Sequence, residues 1–178
     1  MAKKPENLTR ETVSPQATMQ GGTDQPLSHL SVPISLLEQG NLRNAKEWLD
    51  EHIGRNSTDV EALSLLAQVC LLTKNDSEAE NALFAAQAIA ADRPSVQRNL
   101  ARLLIRKGRP AEALESAQAA YQHSNHDAES NLVLAASWAA SGNNDKALCY
   151  AENALKMRDD YAEALGTRAV IRDRKSVV

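Results

Sequence analysis

The chain has 178 residues and a formal net charge of −3 at pH 7, a length that accommodates one elongated domain but not a repeat array together with a separate catalytic domain. This weakly acidic balance gives no electrostatic reason to bind nucleic acid or an anionic membrane. Aromatic residues make up only 3% of the chain, so small and aliphatic side chains must build the core.

The first segment, residues 1–25, is rich in Thr, Gln, Pro and Gly and has no helical stripe of apolar residues. Such a composition cannot offset the entropy of ordering, so we expect a flexible tail. The next unit, residues 26–59, is irregular because Pro33 falls where a helix interior is expected. We predict a short first helix over residues 33–39 and an ordinary second helix over residues 44–53.

In the second unit, residues 60–93, the stretch ALSLLAQVCLLT is apolar almost all the way round and predicts the first helix, with its partner over residues 77–90. The side chains expected to pack within the array are Leu63, Leu66, Ala67 and Cys70. We therefore expect Leu65, Leu71 and Leu72 to point away from this packed face.

The third unit, residues 94–127, shows a helical pattern with two faces. Its apolar positions are Val96, Leu100, Leu103 and Leu104, and its basic positions are Arg98, Arg102 and Arg106. One face therefore packs and the opposite face stays polar. Gly108 ends this helix, and Pro110 begins the next at the first-turn position, where a missing N–H costs nothing.

The fourth unit, residues 128–161, repeats the pattern, with Trp138 facing inward and a second helix over residues 146–157. Residues 162–178 begin another first helix, with Leu165, Ala169 and Ile171 expected on its inner face. Two interpretations of this last segment stay open: a solvating C-terminal cap, or a chain interrupted within a fifth unit.

A fixed interval of 34 residues separates the landmarks of the four units. The landmarks are Ala45, Ala79, Ala113 and Ala147, together with Gly40, Lys74, Gly108 and Gly142. A period of this length indicates stacked helical hairpins that bury their apolar faces against neighbouring units.

The chain resembles the tetratricopeptide-repeat family, whose pattern is W-x2-L-G-x2-Y, then A-x3-F, then P. The third unit matches it with Leu100, Ala101, Leu104, Ala113 and Ala117. Most of the large aromatic residues are missing, and the closing proline is replaced in every unit. The resemblance implies an all-α fold, an α-solenoid of antiparallel helix hairpins with about four repeats and a C-terminal capping helix.

The resemblance also implies where a ligand would bind, because the first helices of such arrays line a concave groove. Carried over to this sequence, the groove positions are Leu65, Gln68, Leu71 and Leu72, then Arg98, Asn99, Arg102 and Arg106, then Leu132, Val133, Ala136 and Ala140. They predict a basic stripe between two apolar patches. Acidic neighbours within the array, or an acidic or C-terminal carboxylate ligand, would satisfy the arginines.

Two variants of the family are disfavoured. Arrays that clamp the C-terminal carboxylate of heat-shock chaperones carry Lys and Asn where this chain has Leu30 and Ile34. Arrays resembling the arm of O-linked N-acetylglucosamine transferase carry an Asn in each successive repeat, and only Asn99 holds that place here. Neither recognition mode is expected.

No Gly-rich phosphate loop, H-E-x-x-H, G-x-S-x-G or CxxC motif occurs, and we predict no catalytic residue, cofactor or metal. His123 and His126 lie across a turn without further ligand partners and are interpreted as polar turn residues. His29 and His52 are interpreted as ordinary residues of the first unit.

The cellular setting follows from weaker signals. Cys70 and Cys149 fall on helical positions that should face the core, which predicts buried thiols in a reducing compartment. No apolar run reaches the length of a membrane span, and the polar N-terminal stretch lacks the apolar region of a signal peptide. We expect a cytoplasmic protein without membrane insertion.

These observations predict a non-catalytic interaction module, an adaptor, scaffold or chaperone-like protein that binds a peptide segment of a partner protein in the groove. The partner would carry apolar anchors and could be acidic; nucleic acid is not expected. Two alternatives stay open: the substrate-recruiting arm of a larger glycosyl- or sulfotransferase-type enzyme, and a scaffold that assembles with copies of itself.

Overall fold

The structure is a computed structural model that describes residues 28–176, so the expected tail, residues 1–25, lies outside the described residues. Over this range a short 3-10 turn, Ser28–Leu30, precedes nine α-helices, and no strand occurs. The helices are α1 (Ser31–Glu38), α2 (Leu42–Arg55), α3 (Val60–Leu72), α4 (Asp76–Ala90), α5 (Pro94–Arg106), α6 (Pro110–His123), α7 (Ala128–Ala140), α8 (Asn144–Met157) and α9 (Ala162–Ser176). The expected all-α fold is confirmed. None of the described helices combines the length and apolar character needed to cross a membrane.

Short polar side chains begin most of the helices. The carbonyl or carboxylate oxygens that accept a backbone N–H from the first turn belong to Asn41, Asp59, Asn75, Asp127 and Asn143. Helices α5 and α6 begin with proline instead, which has no N–H to leave unsatisfied. The starts of these helices are therefore encoded locally in the sequence.

The turns within the helix pairs require a left-handed backbone. Gly108 has a φ of 70°, and its N–H donates to the carbonyl of Ile105 while the N–H of Arg109 donates to that of Leu104. These bonds satisfy carbonyls at the end of α5. The equivalent residue of the preceding pair is Lys74, with a φ of 60°. A side chain in this conformation costs roughly 1–2 kcal/mol, so Lys74 is a strained substitute for glycine.

The core consists of separate clusters, each of which joins neighbouring helix pairs. One contains Leu63 and Leu83 of the second pair with Val96 of α5, and another joins Ala101 and Ala117 to residues of α7. The equally spaced alanines are fully buried: Ala45, Ala79, Ala113 and Ala147. Side chains this small let paired helices approach closely, so stability depends on contacts between neighbours.

The first helix of the first pair is short, as predicted, but it continues through Pro33 rather than breaking there. Helix α1 begins at Ser31, two residues earlier than predicted, because Pro33 fits within the first turn, where its missing N–H is not needed. Pro33 is buried, and α1 has only 8 residues against 14 in α2.

The last helix packs against α7 and α8 with a face that agrees with the prediction only at Ile171. Ala164 and Ile171 are buried, and Leu165 and Ala169 are exposed. The expectation that Leu165 and Ala169 face inward is therefore wrong. Ala164 belongs to the cluster around Leu132 of α7, where a small residue allows the two helices to approach.

Candidate functional site

The first helices of successive pairs lie side by side, with α3 against α5 and α5 against α7. A cavity of about 150 Å³ opens along them and includes the end of the 3-10 turn. Its lining residues are Leu30, Ile34, Glu61, Ser64, Leu65, Gln68, Ser95, Arg98, Asn99 and Glu129. We call this cavity the groove pocket.

The groove pocket brings together four of the predicted groove residues: Leu65, Gln68, Arg98 and Asn99. Sequence reasoning missed the contributions of Glu61, Ser95 and Glu129. It considered Leu30 and Ile34 only as replacements for the residues of a carboxylate clamp, although that equivalence already placed them at a ligand-binding position.

Two residues of the apolar patch predicted on α7 are buried. Leu132 is 2% exposed and packs against Ala154 and Leu155 of α8 and Ala164 of α9. Val133 is 1% exposed and packs against residues of α5 and α6. The expectation that Leu132 and Val133 face the groove is wrong because neighbouring helices cover both side chains.

The remaining apolar groove positions have different environments. Leu71 is buried in the core cluster of the second and third pairs, contrary to the prediction. Leu72 and Ala140 are exposed and Ala136 is half-buried, but none of these three lines the groove pocket.

The arginines of α5 are engaged by acidic groups of the array. The guanidinium of Arg98 lies 3.2 Å from Asp127 and 3.1 Å from Glu129, and its side chain is only 14% exposed. Arg102 lies 3.2 Å from the same Glu129. Acidic neighbours within the array, one of the two options left open by the sequence, therefore contact the terminal guanidinium nitrogens of Arg98 and Arg102.

Arg106 points toward the preceding helix pair. Its Nε lies 2.9 Å from Asp76, and one terminal nitrogen donates to the carbonyl of Leu71 at 3.2 Å. Because Arg98 and Arg102 contact the following pair, the arginines of α5 connect this helix to neighbours on both sides.

Asn99 has a structural role in the pocket. Its side chain is buried, and its amide nitrogen donates to the backbone carbonyl of Ser64 at 2.8 Å and to the Ser64 hydroxyl at 3.1 Å. Its carbonyl oxygen accepts from Arg102 at 3.1 Å. The residue predicted to contact a ligand thus joins α3 to α5.

Two polar atoms at the pocket have no partner. Ser95 Oγ and Arg98 Nε are buried, and neither makes a hydrogen bond within the described part of the chain. Buried polar groups in native proteins are nearly always paired. Ser95 and Arg98 therefore each bring one hydrogen-bonding atom without a partner to the lining of the pocket.

A second polar cluster lies at the first helix pair. His29 Nε2 and His52 Nε2 each lie 2.9 Å from the same oxygen of Asp59, Oδ2. The other oxygen accepts the backbone N–H of Ala62 at 3.0 Å. Burial raises the pKa of Asp59, but the hydrogen bonds from Ala62 and the two histidines outweigh it and hold the pKa below its usual value.

From the sequence alone, His29 and His52 are interpreted as ordinary residues of the first unit, because His29, His52 and Asp59 match no motif. Only the folded path of the 3-10 turn brings His29 back toward the end of α2. The other pair, His123 and His126, was predicted to be turn residues without a metal role. His126 stacks on Tyr121, with ring centroids 4.1 Å apart.

The two cysteines differ in exposure. Cys70 is buried, as predicted, and burial together with Glu78 raises the pKa of its thiol to about 12. Cys149 is exposed, so the expectation that it faces the core is wrong. It lies midway between Ala147 and Ala151, whose side chains occupy the buried face of α8.

Comparison with known proteins gives a consistent result. Family models described as tetratricopeptide repeat match residues 36–103 and residues 98–164. Together they span most of the described array. No curated protein matches the chain.

Solved structures share the fold at low sequence identity. A thermophilic tetratricopeptide-repeat protein of Thermus thermophilus is 22% identical, with a TM-score of 0.70 over 80% of this chain and 78% of that one. The pilF protein of Pseudomonas aeruginosa is 19% identical, with a TM-score of 0.64 over 84% of this chain and 69% of pilF. YrrB, described as a tetratricopeptide-repeat protein with an unusual peptide-binding site, is 16% identical, with a TM-score of 0.56 over 80% of this chain and 77% of YrrB.

Three observations point to the same fold: the period of 34 residues, the pairwise stacking of the helices and the two family matches. The fold implies a role in protein–protein interaction, without identifying a partner. The chain belongs to the tetratricopeptide-repeat family.

Proposed function

We propose that this chain is an interaction module that binds an extended segment of a partner protein in the groove pocket. The observation that carries the proposal is the pocket itself, which has an apolar wall at Ile34 and Leu65 and polar side chains at Gln68 and Ser95. Such a combination suits an apolar anchor next to a peptide backbone. The description of YrrB as a protein with a peptide-binding site supports a similar use of this fold.

The size of the pocket limits what enters it. About 150 Å³ corresponds to roughly five water molecules at their share of liquid volume, enough for one aliphatic side chain. We therefore propose a single leucine- or valine-sized anchor, with the rest of the segment extending along the first helices.

The charges around the pocket modify the expected partner. Arg98 is paired with Asp127 and Glu129, and Glu61 also lines the cavity. The sequence suggested an acidic partner because the arginines looked uncompensated, and this reason no longer applies. We propose that the anchor is uncharged, since a carboxylate there would meet Glu61 and Glu129.

A selection of randomised peptides on the immobilised chain tests the proposal. Selected peptides would be assayed against the wild type, the pocket variant Gln68→Arg, and the matched control Phe84→Arg. Phe84 is 76% exposed on α4 and lies outside the pocket. We expect Gln68→Arg to weaken binding by about tenfold or more, because filling the pocket removes an anchor contact.

The control is expected to bind like the wild type. Peptides that bind Gln68→Arg as tightly as the wild type, while losing affinity for Phe84→Arg, would place the binding surface outside the groove pocket. Reversing Arg98 and Arg102 to Glu is a poorer test, because the new carboxylates would lie next to Asp127 and Glu129 and would destabilise the array.

We further propose that the array acts as a non-catalytic adaptor or scaffold in the cytoplasm. Support comes from the family, whose fold implies interaction with other proteins. The transferase-arm and self-assembly alternatives stay predictions.

A further inference from the structure

We propose that His29, His52 and Asp59 form a binding site for a divalent transition-metal ion such as zinc. The two imidazole nitrogens lie 2.9 Å from one carboxylate oxygen, Asp59 Oδ2. Each of the three residues offers one ligand atom, and these three atoms lie within 4.8 Å of one another. We call these residues the His-Asp cluster.

The chemistry of the cluster suits zinc. Two imidazoles and one carboxylate are ligands that zinc commonly uses, with bonds of about 2.0–2.2 Å. Ligand atoms around a tetrahedral zinc ion lie roughly 3.3 Å apart, from these bond lengths. The two N···O pairs therefore need to separate by only about half an ångström, and the two imidazole nitrogens, which lie at most 4.8 Å apart, must come to the same spacing. The side chain of His29 is 47% exposed, so water can complete the coordination.

Two of the three ligands are already held in place. Asp59 Oδ1 accepts the Ala62 N–H at the start of α3, which directs Oδ2 toward the histidines. The ring of His52 stacks on Trp48 at 4.9 Å, with an angle of 11° between the planes. Contacts of this kind orient metal ligands and reduce the cost of assembling a site.

The competing explanation is a purely hydrogen-bonded cluster in which both imidazoles donate to Asp59. A bound ion would replace both hydrogen bonds, because each imidazole can carry its proton on Nδ1 instead and present the Nε2 lone pair to the metal. Metal uptake distinguishes the two explanations directly.

Metal binding would connect the first helix pair to the second. His29 lies in the 3-10 turn before α1, His52 is in the last turn of α2, and Asp59 begins α3. An ion at this point would fasten the short first helix pair to the second. It would also fix Leu30, the neighbour of His29, which lines the groove pocket.

The experiment uses the full chain with Cys149→Ser as the background, which removes the exposed thiol as an unrelated zinc ligand. Equilibrium dialysis against zinc chloride, followed by metal analysis, would be compared for this background, His52→Gln, Asp59→Asn, the double variant of these two, and the control His123→Gln. Asp59→Asn is informative because asparagine also caps helices, so α3 keeps its N-terminal acceptor.

We expect one zinc ion per chain in the background and in His123→Gln. His52→Gln and Asp59→Asn should each bind zinc at least about tenfold more weakly, the lower end of what changes around metal ligands cost. Zinc should also raise the thermal unfolding midpoint of the background more than that of either cluster variant, since an ion that binds only the folded chain stabilises it.

Two results would overturn the proposal. One is zinc uptake by the background no greater than that of a folded His52→Gln/Asp59→Asn double variant. The other is equal affinity in all variants, which would place the ion elsewhere. Helical circular dichroism of each variant shows that it is folded before the comparison is made.

Discussion

Replacing Asn99 by alanine is expected to weaken the junction between the second and third helix pairs. Asn99 is only 4% exposed. Its side chain makes three hydrogen bonds: two to Ser64, at 2.8 and 3.1 Å, and one from Arg102, at 3.1 Å. Alanine makes none of them and leaves the Ser64 hydroxyl and the Arg102 guanidinium with fewer partners.

The magnitude follows from these bonds. A hydrogen bond within a protein contributes about 0.5–1.5 kcal/mol net to stability. The bond from Arg102 lies at the lower end because Arg102 keeps its contact with Glu129. We therefore expect Asn99→Ala to lower the free energy of unfolding by about 2–3 kcal/mol.

Urea unfolding followed by helical circular dichroism measures this loss. The dependence of the free energy on urea should also become shallower, because weaker coupling lets the two halves of the array unfold separately. Ser64→Ala completes a double-mutant cycle. Its effect in the Asn99→Ala background should be smaller than in the wild type by about 0.5–1 kcal/mol, since the bond it removes is already absent.

A loss below about 0.5 kcal/mol for Asn99→Ala, the lower limit for one hydrogen bond, would refute this reasoning. So would strict additivity of the two substitutions. Either result would mean that the Asn99–Ser64 bonds are compensated by water when they are removed.

The remaining predictions concern turns, thiols and packing. Lys74→Gly should raise the free energy of unfolding by roughly 1 kcal/mol, and Gly108→Ala should lower it by a similar amount, because both positions have positive φ. Urea unfolding measures both changes, and changes of the opposite sign would contradict the prediction. At neutral pH, Cys149 should react quickly with a thiol reagent, and Cys70 should react only after unfolding. The reason is that burial raises the pKa of Cys70 to about 12 and the thiolate is the reactive form. Equal reaction rates of the two thiols in the folded protein would contradict this prediction. Ala113→Leu should cost about 1–3 kcal/mol by overpacking the third hairpin, seen as a lower thermal midpoint; an unchanged midpoint would show that the hairpin has room for the larger side chain.

The repeat architecture was predictable because its signals are local. The glycine at the end of α5 and the proline at the start of α6 each act within one or two helical turns, and the interval between Ala79 and Ala113 can be counted directly in the sequence. A helix begins or ends according to its own capping residues, so the sequence alone locates these features to within a few residues.

The site was less predictable because exposure depends on neighbours. Leu65 and Val133 occupy similar positions on first helices, yet Leu65 lines the groove pocket and Val133 is buried against α5 and α6. The arginine partners Asp127 and Glu129 are about one repeat away from Arg98, a separation that sequence patterns suggest only once the stacking of the helices is known. The His-Asp cluster required the path of an irregular segment that has no counterpart in the other pairs.

The ion pairs of α5 have a mechanical consequence. Arg98 reaches forward to α7 while Arg106 reaches back to the start of α4, so any movement of a neighbouring helix pair away from α5 would stretch an ion pair. The partners of Arg98 lie 3.1 and 3.2 Å away, well inside the Debye length of about 10 Å at 0.1 M salt, and its side chain is only 14% exposed. Dissolved salt should therefore leave the contact between α5 and α7 largely intact, and the solution scattering profile should change little between low and high ionic strength.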